Sequence, residues 1–449
     1  MPSFPSAFEQ VAAFSPESFS SLAKNIEAEW LEEALTLSDG FATMRRRKLP
    51  VDRALWMVIG MGLFRDRSIA EVVNHLQLAL PKGSTGPGIA PGAIPPARER
   101  LGVEAVQRLF ELTAEAWGRR EAAKDLWHGL QLFGADGTCM RVPDTVENVE
   151  EFGRPGSARS TSGYPQVRMA ALMALTSHVL TALSVGRYHD GELTVAEALW
   201  QQVPDHSLTI LDRGYVSFWL FHLLRGKHPD DERHWMIRFS TKLTWRTLKK
   251  LGAGDELVEF EPSSALRKKH PELPSKLVAR MVSFQVKGYR PTMVITSLLD
   301  PEKYPAQEIG ALYHARWELE LGYDEIKTHL LEREEALRST TPRGIRQEIA
   351  GIAIAYNLVR VEIARVAREA GLDPRRISFL HALQLIRAFC LSSWAAAPGV
   401  LPRRLASLES DMRLLVLPER RTARRYPRHV KIKMSNYARN RGHPGSRPN

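Results

Sequence analysis

Apolar residues recur at helical spacing through positions 19–37, 51–64 and 69–80, and the pattern predicts three helices. Positions 81–96 then hold five Pro and four Gly, which excludes a continuous helix and predicts a loop. The run Pro96-Ala-Arg-Glu-Arg-Leu-Gly102, followed by positions 103–117, resumes the helical period as two helices meeting at a glycine turn. Such a module suits a helix laid on DNA and a packed bundle with solvated arginines equally, the cluster Arg45, Arg46, Arg47 and Lys48 being one such patch.

From about residue 126 the period shortens. Strand-like runs at 130–135, 167–176, 179–185, 208–211 and 235–239 alternate with helical patterns at 194–202 and 216–224, predicting an α/β core. Further runs at 256–260, 277–285 and 292–298 lack an intervening strong helix and predict a mainly β insertion at about 235–300. A long helix is expected from Pro305 to about Leu331, and others over 348–370 and 377–389. The expected division is a helical N-terminal domain over 1–127, an α/β domain over 128–345, and a helical C-terminal region with a basic tail over 346–449.

Composition narrows the class. Of 449 residues, 44% are hydrophobic and 25% charged, a globular balance that excludes a disordered chain. The longest apolar stretch, 54–64, is too short to span a bilayer, and no basic segment precedes a hydrophobic core at the N-terminus, so a cytoplasmic protein without a membrane partner is expected. Only Cys139 and Cys390 are present, too few for a disulfide framework or a cysteine-rich zinc site. His178, His189 and His206 lack zinc-ligand spacing. The net charge of +11 implies a polyanionic partner, but ten Lys or Arg and no acid lie between Arg420 and Arg447; subtracting these ten leaves +1 for residues 1–419.

Two segments share one grammar: an apolar run closing on Asp136-Gly-Thr, and another closing on Asp212-Arg-Gly-Tyr. Ligands in α/β sheets gather at the carboxyl ends of strands, which lets two aspartates 76 residues apart meet. Singly, each reads better as a turn Asp after a strand. A third acid lies on the helix after Pro305. At about 100° per residue, Tyr313, Arg316 and Lys327 fall within about 40° of Glu320. Carboxylate oxygen suits a divalent metal, and the flanking donors suit phosphate. Asp324 lies near the same arc, and Glu318, Asp324 and Glu325 fit an ordinary exposed salt-bridged helix. The segment Tyr188-His-Asp-Gly-Glu192 reads as a polar turn.

Tyr313, Arg316, Glu320 and Lys327 match a Tyr-x2-Arg-x3-Glu-x6-Lys signature, and the chain resembles the insertion-sequence type 4 family of DDE transposases. Asp136-Gly-Thr looks like the family's first acid motif and Leu211-Asp-Arg-Gly-Tyr215 like its second. The stretch from Arg45 to Arg67, with Leu49-Pro and Met61-Gly-Leu-Phe, is similar to its N-terminal region, so the likeness spans most of residues 20–345. The resemblance implies an α/β fold with a ribonuclease H-like catalytic core, its β insertion falling in the 108 residues between Asp212 and Glu320. It implies a transposase that cuts at terminal inverted repeats and joins 3′ ends to target DNA, with Asp136, Asp212 and Glu320 holding two Mg2+ or Mn2+ ions. Tyr313, Arg316 and Lys327 would contact DNA, double-stranded DNA would be the partner, the chain would pair as a homodimer on it, and the protein would associate with the nucleoid. Some members stack a flipped base on an aromatic of the insertion; Trp235, Trp245, Phe284 and Tyr289 are available, and none aligns with that role. Two other readings share the residues: a nuclease or resolvase without strand transfer, and a non-catalytic DNA-binding descendant, disfavoured because all three acids are present.

Overall fold

Among the described residues nine strands form one sheet, most of them short runs rich in apolar residues. In chain order they are β1 (Gln131–Arg141), β2 (Gln166–Ala174), β3 (Leu180–Arg187), β4 (Ser207–Leu211), β5 (Arg233–Arg238), β6 (Arg246–Gly252), β7 (Asp255–Phe260), β8 (Leu277–Phe284) and β9 (Thr292–Thr296). The spatial order is β3-β2-β1-β4-β5-β9-β8-β7-β6. β1, β4 and β5 run parallel, while β2 and β3 form an antiparallel hairpin on the far side of β1. The computed structural model describes residues 16–39, 48–79, 88–156, 163–225, 231–239, 244–285, 291–332, 336–395 and 398–418. The arginines at 45–47, Tyr289 and the basic stretch 420–447 lie outside the described residues.

β5 is the core strand expected over 235–239: it is parallel to β4 and completes the core, so the inserted strands begin beyond it rather than at about 235. β6 was not foreseen, because its Arg-Thr-Leu-Lys-Lys-Leu-Gly sequence is almost wholly exposed and shows no apolar alternation. The insertion does not form a sheet of its own: β9 pairs antiparallel with β5 and continues the core sheet.

Helices cover the sheet. Among them are α1 (Ala28–Thr36), α2 (Val51–Leu63), α3 (Ile94–Ala122), α4 (Glu192–Ala196), α5 (Ala306–Leu312), α6 (Trp317–Asp324), α7 (Pro342–Glu369) and α8 (Phe379–Ser393). α7 is buried along most of its length and braces the core. Asn357 on α7 completes a backbone gap of β3, accepting from Leu180 N at 2.8 Å and donating to Leu180 O at 2.8 Å. α2 packs tightly on α7 because each helix turns a glycine to the other, Gly351 against Val58 and Gly62 against Ile352 and Ala355. A Cβ on Gly351 would lie 2.9 Å from the Val58 carbonyl oxygen, and one on Gly62 would lie 3.1 Å from the Ile352 Cα. The expected glycine turn is present: α3 breaks at Gly102, whose φ of 74° is the left-handed region open to glycine. Gln347 of α7 donates to the carbonyls of Gly102 at 2.7 Å and Arg98 at 3.0 Å, tying that turn into the core.

The described part of residues 1–416 is one compact unit; of 417–449 only residues 417 and 418 are described. Among the described residues, no helix is long and apolar enough to cross a membrane.

Candidate active site

Asp136 and Asp212 meet through sheet register. Parallel pairing of β1 with β4 ends at Gly134 and Ile210, and each aspartate is two residues further along its strand direction. Neighbouring strands run about 4.8 Å apart, so the acids share one level of the sheet end. β1 does not stop at Asp136, as the sequence suggested. It continues to Arg141 because its other edge stays paired with β2, where Asp136 faces Ala171. Asp212 caps the turn Arg213–Tyr215, its side chain accepting from Arg213 N.

The helix expected from Pro305 to Leu331 is segmented. α5 gives way to a tighter turn at Tyr313–Arg316, then α6, then a wider π-type turn at Glu325–Leu330. The tight turn winds three residues per turn, so Tyr313 and Arg316 eclipse more closely than a regular helix allows. The wide turn has the opposite effect on Lys327, which lags the stripe computed at 100° per residue. Lys327 is half-buried and has no ion-pair partner among the described residues. Arg316 donates to Glu320 Oε1 at 2.7 Å, and its guanidinium lies 5.7 Å from the Trp317 ring centroid. Burial lowers the Arg316 pKa, but Tyr313, Glu320 and Asp212 together outweigh burial and raise it. Arg316 therefore links the Glu320 helix electrostatically to Asp212. The Tyr313 phenol is raised, chiefly by burial, with Asp212 adding to it and Arg316 opposing.

A fourth acid enters that the sequence reading treated as part of a turn. Asp190 does close the turn, accepting from Arg187 N at 2.7 Å. Glu192, first residue of α4, instead points to Asp136: its Oε1 accepts from Gly137 N at 2.9 Å and from the Tyr215 hydroxyl at 2.6 Å. The signal in the sequence was weak, a lone Glu after a turn. Burial, aided by the charges of Glu192 and Asp212, pushes the Asp136 carboxyl up to about 7, against the Gly137 N–H that lowers it. From the opposite side the Tyr323 hydroxyl donates to the Asp136 carbonyl at 2.6 Å.

Glu318 and Glu325 are not exposed salt-bridge partners. Glu318 is 8% exposed and meets His178 Nε2 at 2.9 Å; Glu325 accepts from Arg360 Nε at 2.9 Å and the Tyr356 hydroxyl at 2.9 Å. Burial would raise Glu325, but Arg360 and His178 overcome it and hold the carboxyl down at about 2. Glu318 ties α6 to the β2–β3 turn and Glu325 ties the following turn to α7, while Glu320 stays part-exposed.

The donors around Asp136 and Asp212 are carboxylate oxygens, the set that hard divalent cations take. Glu320 is held by Arg316, and among the described residues no three His, Cys, Asp or Glu side chains form a ready metal-holding group.

A core sheet ordered β3-β2-β1-β4-β5, with acids where its parallel strands end, is a ribonuclease H-like architecture. Comparisons with known proteins place it further. A family description, Insertion element 4 transposase N-terminal, matches residues 16–111, and another, Transposase DDE domain, matches residues 127–358. The transposase InsG for insertion sequence element IS4 of Escherichia coli (strain K12) is 38% identical over 420 residues, covering 93% of each chain. InsZ of the same organism is 32% identical over 298 residues, 66% of this chain and 93% of that one. A piggyBac transposase solved in a synaptic complex with hairpin DNA aligns over 93% of this chain and 85% of that one, at 12% identity and a TM-score of 0.39. The chain belongs to the insertion element 4 family of DDE transposases, enzymes that depend on divalent metal.

Proposed function

We propose that the enzyme cleaves DNA at the terminal inverted repeats of its own element and transfers the freed 3′ ends to target DNA, with Asp136, Asp212 and Glu320 as its catalytic acids. The observation that carries this reading is the common level of Asp136 and Asp212, each two residues past the last parallel β1–β4 pair, with Arg316 between Asp212 and Glu320. The three carboxylates would hold Mg2+ or Mn2+; Glu320 joins them when its pair with Arg316 opens, and Arg316 is then available to a phosphate. Bound divalent cations supply activation of the attacking hydroxyl and stabilisation of the leaving oxygen at phosphorus.

The remaining roles belong to side chains. Arg316 grips phosphate oxygens through its planar fork, Lys327 adds a point charge from the neighbouring turn, and Tyr313 helps position the strand. Double-stranded DNA is the partner, two copies act together on it, and the protein works on the nucleoid. The test is cleavage of a duplex carrying the sequences that flank its own coding region, with and without Mg2+ or Mn2+, followed by joining of hydroxyl-terminated ends to a target plasmid. Metal-dependent cleavage with joining is expected. Cleavage without joining would assign a nuclease instead.

A further inference from the structure

We infer that Glu192 is a positioning residue that locks the two aspartate-bearing strand ends to each other. The inference rests on the reading of Asp136 and Asp212 as catalytic acids and concerns how their separation is set. Three chain segments converge on one oxygen, Glu192 Oε1: α4 supplies it, β1 donates through Gly137 N at 2.9 Å, and the turn after Asp212 donates through the Tyr215 hydroxyl at 2.6 Å. A carboxylate oxygen has two lone pairs, so a single atom satisfies both donors.

The Gly137 N–H also lies 2.8 Å from Asp136 Oδ1. Asp136 and Glu192 thus compete for one hydrogen, and the direction of the Asp136 carboxylate depends on where Glu192 stands. Glycine at 137 is what permits this approach: a Cβ there would fall 2.8 Å from Glu192 Cγ and 2.9 Å from its Oε1. Tyr215 is buried edge-on against Trp200, ring centroids 6.0 Å apart, so its hydroxyl is a fixed donor. With the Tyr323 hydroxyl holding the Asp136 carbonyl, the first acid is tied both to the turn of the second and to the helix of the third.

The test compares Glu192→Ala, Glu192→Gln and Tyr215→Phe in the full-length protein, reading single-turnover cleavage of the flanking-sequence duplex, the melting midpoint, and the rise in that midpoint on adding Mn2+. Groups one layer behind metal-holding residues typically cost roughly 10- to 100-fold when removed. Glu192→Ala is expected to lose cleavage within that range and most of the Mn2+-induced rise. Glu192→Gln keeps an acceptor oxygen in place and is expected to restore most of both, while Tyr215→Phe falls between them. Wild-type cleavage by Glu192→Ala would overturn the inference. So would a Glu192→Gln variant as impaired as Glu192→Ala, which would make the charge rather than the hydrogen bonds essential. Should Glu192→Ala fail to fold, Glu192→Gln against Tyr215→Phe carries the same comparison, equal rates overturning it. Asp136→Asn and Asp212→Asn run alongside: activity in those two would sink the reading of the acids without bearing on the hydrogen-bond geometry.

Discussion

Asp136 and Asp212 stand side by side because Gly134 pairs with Ile210, and the two parallel strands carry each aspartate two residues past that pair. The charges of Glu192 and Asp212 both act on Asp136, and Asp212 acts on Arg316, which is already bound to Glu320. Asp136→Asn and Asp212→Asn are each expected to cut cleavage at least roughly a thousandfold while leaving the fold intact.

The raised Asp136 pKa adds a signature in metal-free protein. Between about pH 4, where the unfolded carboxyl loses its proton, and about pH 7, where the folded one does, the folded state binds more protons. Stability therefore falls as pH rises through that window. The melting midpoint of Asp136→Asn should fall less across it than that of the wild type; identical slopes would refute the assignment of the shift.

Glu325 gives the opposite sign. Its carboxyl is held down at about 2 by Arg360 and His178 despite burial, so its contribution is complete above the ordinary carboxylate range and is lost as pH falls towards about 2. Glu325→Ala leaves the Arg360 guanidinium, 2% exposed, without its carboxylate and is expected to destabilise by roughly 3–5 kcal/mol at neutral pH. Urea melts should show the gap between variant and wild type shrinking below about pH 4. A gap that stays constant would remove the ionic account.

The strands carrying Asp136 and Asp212 were legible because they are short apolar runs, and the spacing from Tyr313 to Lys327 was legible as a stripe on one helix. Glu192 was not. Its partners are a backbone N–H 55 positions earlier and a phenol 23 positions later, brought together by strand order rather than local pattern. The exposed reading of Glu318 and Glu325 failed for a related reason: His178 and Arg360 lie on a β-hairpin turn and on α7, and no periodicity within α6 reports them. The changes of helical pitch at Tyr313 and Glu325 were equally hidden, since spacing arguments assume one period throughout. β6 escaped because a polar edge strand has no buried face to impose alternation.

Gly322 tests how closely the acid-bearing helix must approach the sheet. A Cβ there would lie 2.4 Å from Met173 Cε and 2.7 Å from its Sδ, with the Tyr356 hydroxyl at 3.3 Å. Gly322→Ala should push α6 outward, lowering stability by about 1–3 kcal/mol and slowing cleavage beyond what the melting shift explains. Unchanged cleavage would show that Met173, a flexible side chain, absorbs the methyl group.

The tail from Arg420 to Arg447, with ten Lys or Arg and no acid, should add DNA affinity without sequence preference, since phosphate neutralisation releases counterions. Removing residues 420–449 is expected to flatten the plot of log affinity against log salt. An unaltered slope would assign the tail no part in DNA binding.

Arg316 and Lys327 separate two accounts of the Glu320 helix. The 2.7 Å pair between Arg316 and Glu320 is an i,i+4 contact, which contributes only about 0.2–0.5 kcal/mol to a helix. If Arg316 serves only that pair, Arg316→Ala frees Glu320, shifts the melting midpoint slightly and leaves cleavage near wild type. If it grips phosphate, the same variant loses a two-pronged donor, and end binding and cleavage fall although the fold is unharmed. Lys327 has no ion-pair partner among the described residues, so Lys327→Ala should barely move stability under either account. A cleavage loss there reports DNA contact directly. Arg316→Lys sharpens the comparison, because an ammonium preserves the charge and the pairing with Glu320 but not the planar fork. We expect Arg316→Lys to remain well below wild type in cleavage; recovery to the wild-type rate would show that positive charge alone suffices, and full activity in Arg316→Ala would remove this residue from DNA recognition.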